Sequence, residues 1–135
     1  MTFNKKKNKF VLPTDLLCWP PENDKIGNIE YKRKLLNTEN QKIDRIVTQM
    51  NWRMLQGLDL YNRYEAYYIL GVDDDGKFSK INKTDINISI DTLEKACNSL
   101  NAVIHSITYI NAKEGQIAVI LIRGDYERIK NKQVI

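Results

Sequence analysis

The sequence is poor in the residues on which most catalytic schemes depend. It has one histidine, His105, and two cysteines, Cys18 and Cys97, which lie far apart and match no C-x-x-C spacing. A zinc site, a disulfide framework or a histidine-centred triad therefore has little to build on, and no metal, cofactor or catalytic residue is expected. No stretch approaches the roughly 18 to 20 consecutive apolar residues that a membrane-spanning helix needs. The start of the chain, with Lys5, Lys6, Lys7 and Lys9, lacks the apolar segment of a signal peptide. These absences lead us to expect a cytoplasmic, monomeric, non-enzymatic protein with reduced thiols and no membrane contact.

Proline is also scarce, and its placement is informative. Pro13, Pro20 and Pro21 all fall before residue 28; proline fixes φ and removes a donor, so residues 1–27 read as an extended leader. Its apolar residues, among them Leu16, Leu17 and Trp19, call for packing on the domain or on a partner. With 135 residues and 42% hydrophobic composition, the remainder suffices for one domain with a real core. We place that domain at 28–124 and a basic tail at 125–135.

The charge excess is modest: 21 Lys and Arg against 17 Asp and Glu, a net +4. Its distribution says more. Cations concentrate in the leader, in Lys32, Arg33 and Lys34, and in the tail, with Arg128, Lys130 and Lys132. Such clusters suit phosphate backbones, although solubility alone would also account for them.

Hydrophobic spacing outlines the elements. Ile29 to Leu36 suits a strand, and Thr38 with Gln41 gives a capping box. Ile43, Ile46, Val47, Met50 and Met54 then recur at helical spacing until Gly57. Tyr64 to Val72 reads as a strand, Asp74 to Gly76 as a turn, and Lys77 to Ile81 as the returning hairpin arm. Asp91 with Glu94 repeats the capping pattern before Leu93, Ala96, Cys97 and Leu100. Val103 to Ile110 and Gln116 to Ile122 are two further strands. The order is β-α-β-β-α-β plus an extra strand, which predicts an α+β, ferredoxin-like two-layer sandwich.

Gly71 to Lys77 fits most of a phosphate-binding loop, G-x-x-x-x-G-K-[ST]. Phe78 stands where the magnesium-binding hydroxyl belongs, however, and Asp73, Asp74 and Asp75 would repel a triphosphate, so no nucleotide site is expected. The aspartates also miss calcium-loop spacing and read as a solvated turn. On the first helix, about 100° per residue puts Trp52 opposite the apolar stripe, beside Arg45, Gln49 and Gln56. Either the leader covers it, or Trp52 and Arg53 with Arg45 and Gln49 form a stacking platform for RNA or protein. The strand tyrosines, Tyr31, Tyr64, Tyr67, Tyr68 and Tyr109, could stack bases or simply pack.

Three segments in order carry a resemblance: G-N-I-E-Y-K from Gly27 with Leu35, I-V-T-Q-M-N-W-R from Ile46, and Y-I-L-G-V-D-D-D-G from Tyr68. They resemble the N-terminal domain of the GTP-binding protein one and two family of translational GTPases, over roughly Pro20 to Ile122. No P-loop or GTPase core follows, so guanine nucleotide binding is not expected. A free-standing chain of this pattern is similar to microsporidian dormancy factors, small ribosome-associated proteins. That resemblance implies a partner in the ribosome, through rRNA and ribosomal proteins, and occupancy of the tRNA exit site that keeps ribosomes idle. The motif positions it carries over are Tyr31, Lys32, Gln49, Trp52, Arg53 and Gly71. The alternatives are an interaction domain cut from a translational GTPase and a small-ligand regulatory domain.

Overall fold

The computed structural model describes residues 20–36, 40–79, 81–112 and 115–126. In chain order it contains β1 (Ile29–Lys32), α1 (Asn40–Tyr61), β2 (Glu65–Leu70), α2 (Lys83–Ser99), β3 (Ala102–Ala112) and β4 (Gly115–Gly124). The sheet order is β1-β2-β4-β3. β1 and β2 run parallel through the α1 crossover, while β4 pairs antiparallel with both β2 and β3. This is the expected α+β sandwich of ferredoxin-like type, with both helices on one sheet face. Among the described residues the third β element is reduced to isolated bridging, including that between Val72 and Phe78. Lys77 and Phe78 do not extend into a sheet strand, because the chain turns away to begin α2.

Strand alternation explains the layers. Ala66, Tyr68 and Leu70 of β2 and Ala118, Ile120 and Ile122 of β4 face the helices, where they meet Met50, Met54, Ile86, Leu93 and Ala96. The intervening residues Ile69, Ile117, Val119 and Leu121 are also at most 1% exposed and cluster with Tyr31 and Val72. β4 therefore reads as a continuous apolar run because both of its faces are covered.

Two helix boundaries differ from the sequence expectation. α1 continues past Gly57 to Tyr61, and the glycine serves proximity rather than termination. A Cβ at that position would collide with the backbone oxygens of Glu65 and Arg63, where the chain returns into β2. The helix ends instead at Asn62, which adopts φ +62°, a conformation asparagine tolerates better than most residues. α2 starts before Asp91: its N-cap is Asn82, whose side-chain oxygen accepts from the Asp85 N–H at 2.8 Å. Asp91 is an exposed residue in mid-helix, and Ile86 and Ile90 extend the buried stripe one turn and more toward the N-terminus.

At the tight turn, Gly76 adopts φ +90° and donates its N–H to the Asp73 carbonyl, while Asp73 N–H reaches the Lys77 carbonyl. The side chain of Asp73 accepts from the Ser79 hydroxyl at 2.7 Å. The segment Gly71 to Phe78 is thus a hairpin turn and not a loop leading directly into a helix.

Candidate nucleic-acid interface

The parallel β1–α1–β2 crossover brings the chain just after β1 alongside the first turns of α1. Between them lies a groove of about 760 Å³ lined by Lys32, Lys34, Leu35 and Leu36 on one side and by Lys42, Arg45, Ile46 and Gln49 on the other. Lys42, Arg45 and Gln49 stand at i, i+3 and i+7, so one helix stripe presents all three. Four cations converge on an apolar floor. The Lys32 ammonium lies 3.5 Å from Glu30 and that of Lys34 3.5 Å from Asp85. The Lys34–Asp85 pair is of the partly exposed kind worth about 0 to 1 kcal/mol, whereas Lys32 meets a carboxylate that is almost fully buried. Leu35 is fixed from both sides, its N–H donating to the Ser89 hydroxyl oxygen at 2.8 Å and its carbonyl accepting from Thr92 Oγ1 at 2.9 Å. The basic rim therefore stands on a segment held to α2.

A shallow depression of Asp44, Arg45, Thr48, Gln49 and Trp52 adjoins this groove and shares two of its walls. Trp52 is 36% exposed, a partly covered ring whose remaining surface lies on the polar side of α1, as the helical geometry predicts. The Arg53 guanidinium sits over it, 4.7 Å from the ring centroid.

Arg53 itself is 1% exposed, so the platform suggested by sequence splits: tryptophan at the surface, arginine beneath it. The Arg53 guanidinium bonds to Glu30 at 2.7 Å, to the Gly27 carbonyl at 2.8 Å and to the Asn23 carbonyl at 2.8 Å. Its donors are used in holding residues 23–27 against α1 and β1, and it has no surface to offer a partner. Gln56 assists by accepting from the Gly27 N–H at 3.0 Å. Glu22 completes the cluster, 3.9 Å from Arg53 and accepting from the Tyr31 N–H at 2.6 Å. Burial, with the nearby Glu30 carboxylate adding to it, pushes Glu22 up to about 7. Residues 20–27, read from proline content as leader, are thus tied to the domain at several points.

The other sequence candidates fall as follows. Arg33 is exposed and shares a depression with Lys32 and Asp73, Asp74 and Asp75, whose carboxylates offset its charge. Lys5, Lys6, Lys7, Lys9, Arg128, Lys130 and Lys132 lie outside the described residues, as do the capping Thr38 and the apolar leader residues Leu16 to Trp19. Tyr31, Tyr64 and Tyr68 are buried and Tyr67 is half-buried, so these four pack, while Tyr109 of β3 is exposed. Lys42 was absent from the sequence candidates, although its spacing from Arg45 and Gln49 could have identified it.

His105 lies beside Arg123, 3.3 Å from a guanidinium nitrogen, and Arg123 is in turn paired with Glu65 at 2.8 Å. Desolvation and the Arg123 charge lower the imidazole's affinity for a proton. Cys97 is buried beside Met50, and burial pushes its thiol up to about 12, which makes it a poor nucleophile. Among the described residues no three His, Cys, Asp or Glu side chains come together as metal ligands, and no helix is long and apolar enough to cross a membrane.

No family model matches the chain. It is similar to an uncharacterized protein of Acanthamoeba polyphaga mimivirus, 37% identical over 100 residues, which are 74% of this chain and 51% of the viral protein. It is also similar to GTP-binding protein 2 of Mus musculus and of Homo sapiens, 36% identical over 95 residues, or 70% of this chain and 14% of each relative. The chain thus spans about half of the viral relative and corresponds to one segment of GTP-binding protein 2.

Proposed function

We propose that this chain is a non-catalytic, cytoplasmic interaction domain of the kind carried by a translational GTPase, and that it binds ribosomal RNA through the face formed by β1 and α1. The observation that carries the reading is the convergence of Lys32, Lys34, Lys42 and Arg45 on one groove beside the partly exposed Trp52. The similarity to a segment of GTP-binding protein 2 supports the relation to a GTPase domain. In this reading the cations neutralise phosphates and release their counterions, while Trp52 and Gln49 set register by stacking and hydrogen bonding. Chemistry is not required; occupancy is the activity. The finer reading, that occupancy of the tRNA exit site keeps ribosomes idle, rests on the resemblance to dormancy factors.

The test is co-sedimentation with purified ribosomes, comparing the full chain with Lys42→Glu/Arg45→Glu. Both residues are exposed and outside the core, so the variant should fold normally. Binding should fall about tenfold or more, equivalent to at least ~1.4 kcal/mol. Undiminished pelleting would move the interface off this face. Addition of the chain to a translating extract separates the finer reading: inhibition supports sequestration, and binding without inhibition leaves the interaction domain alone.

A further inference from the structure

The two edges of the sheet are built differently. β1, at one edge, has four residues and includes Glu30 and Lys32. β3, at the other, has eleven, A-V-I-H-S-I-T-Y-I-N-A, with no lysine, arginine, aspartate, glutamate or proline. Proteins ordinarily blunt an edge strand with charge, proline or short length. β3 carries only one irregularity, a register shift between Ile104 and Ser106. Among the described residues no segment pairs with its outer backbone. Val103 and Tyr109, toward its two ends, are 61% and 48% exposed. Tyr109 stands opposite Ala118 on the helix side and Val103 opposite Arg123 on the other, so the edge offers apolar surface on both sheet faces.

We propose that this edge is a self-association surface: β3 pairs antiparallel with β3 of a second copy across a two-fold axis, joining two sheets into one of eight strands. An isologous antiparallel pair sets residue i of one copy against residue j of the other and j against i, so an uncharged strand brings no unmatched charge into the pairing. The neutrality of β3 meets that condition, whereas β1 does not. The sheet order also puts the Lys32 and Lys34 cluster at the far edge, so pairing through β3 keeps the two cationic grooves apart and open outward. Pairing along one edge buries less than the ~800 Å² per partner of a standard interface. The dimer therefore forms and dissociates with concentration. This replaces the monomer expected from sequence and is independent of what the groove binds.

Sedimentation velocity of the full chain over a wide concentration range tests it. The mass should rise from 15.8 kDa toward twice that value, and Val103→Glu/Tyr109→Glu should remain monomeric throughout with an unchanged unfolding midpoint. Hydrogen exchange on the unaltered protein gives a readout that needs no variant: fast amides within 102–112 should become protected at high concentration, and those of β1 should not. A chain that is monomeric at every concentration, a dimer that survives the double variant, or exchange in 102–112 that ignores concentration would each overturn the proposal. So would a monomer whose β3 edge pairs only with a strand of another protein.

Discussion

Replacing Arg53 by methionine removes the buried guanidinium that pairs with Glu22 and Glu30 and keeps most of the side-chain volume. Glu30 is 2% exposed and takes a 2.7 Å bond from Arg53; without it the carboxylate keeps only the looser Lys32 contact at 3.5 Å or takes up a proton. Three main-chain carbonyls, at Asn23, Ile26 and Gly27, lose their donor at the same time. Breaking a buried pair from one side costs about 3 to 5 kcal/mol. With a urea m-value of roughly 1 to 3 kcal/mol per molar, the denaturation midpoint should fall by about a molar or more. Adding Glu30→Gln to the same chain should recover part of the loss, since neutralising both partners removes the stranded charge. A cost of only about 1 kcal/mol for Arg53→Met, the ordinary range for surface changes, together with weakened ribosome binding, would refute this reasoning and return Arg53 to the surface.

Trp52→Ala should behave differently, costing about 1 to 2 kcal/mol because the ring is only partly buried, well short of the ~3 to 5 expected for a fully buried aromatic, while weakening RNA binding in a filter assay. Gly57→Ala should destabilise the fold despite alanine's higher helix propensity, since its methyl meets the returning backbone; equal or improved thermal stability would contradict that packing. Glu22 has its folded-state pKa raised to about 7 from 4.5, so the folded chain holds more protons than the unfolded one between those values. Its contribution must therefore become less favourable as pH rises from about 5 to 7. His105, whose shift is downward, acts oppositely in part of that window, so the test is the difference between wild type and Glu22→Gln across pH.

Much of the architecture was legible because its signals are local. The α1 stripe of Ile43 to Met54, the Asp74 to Gly76 turn and the apolar runs of β3 and β4 follow from spacing and turn chemistry. Two kinds of feature were not. Gly57 reads as a helix stop until the returning chain near Arg63 and Glu65 is known to lie against it, and that proximity is tertiary. Asn82 was passed over because Asp91 and Glu94 imitate a second capping box inside the same helix. At the site, helical geometry correctly separated Trp52 from the core, but nothing in the local sequence shows that Arg53 turns inward. Its partners Glu30 and Asn23 stand 23 and 30 positions away. Lys42 joined Lys32 and Lys34 only once the crossover was known to bring α1 beside the end of β1.

The most direct test of the central claim is the salt dependence of ribosome binding, measured for the unaltered chain and for Lys42→Ala/Arg45→Ala. If the groove contacts phosphates, log K should fall linearly with log salt by about 0.7 to 0.9 for each contact. Removing two cations should then flatten the slope by about 1.4 to 1.8. An identical slope for both proteins, or binding that ignores salt altogether, would contradict the assignment of the β1–α1 face to RNA.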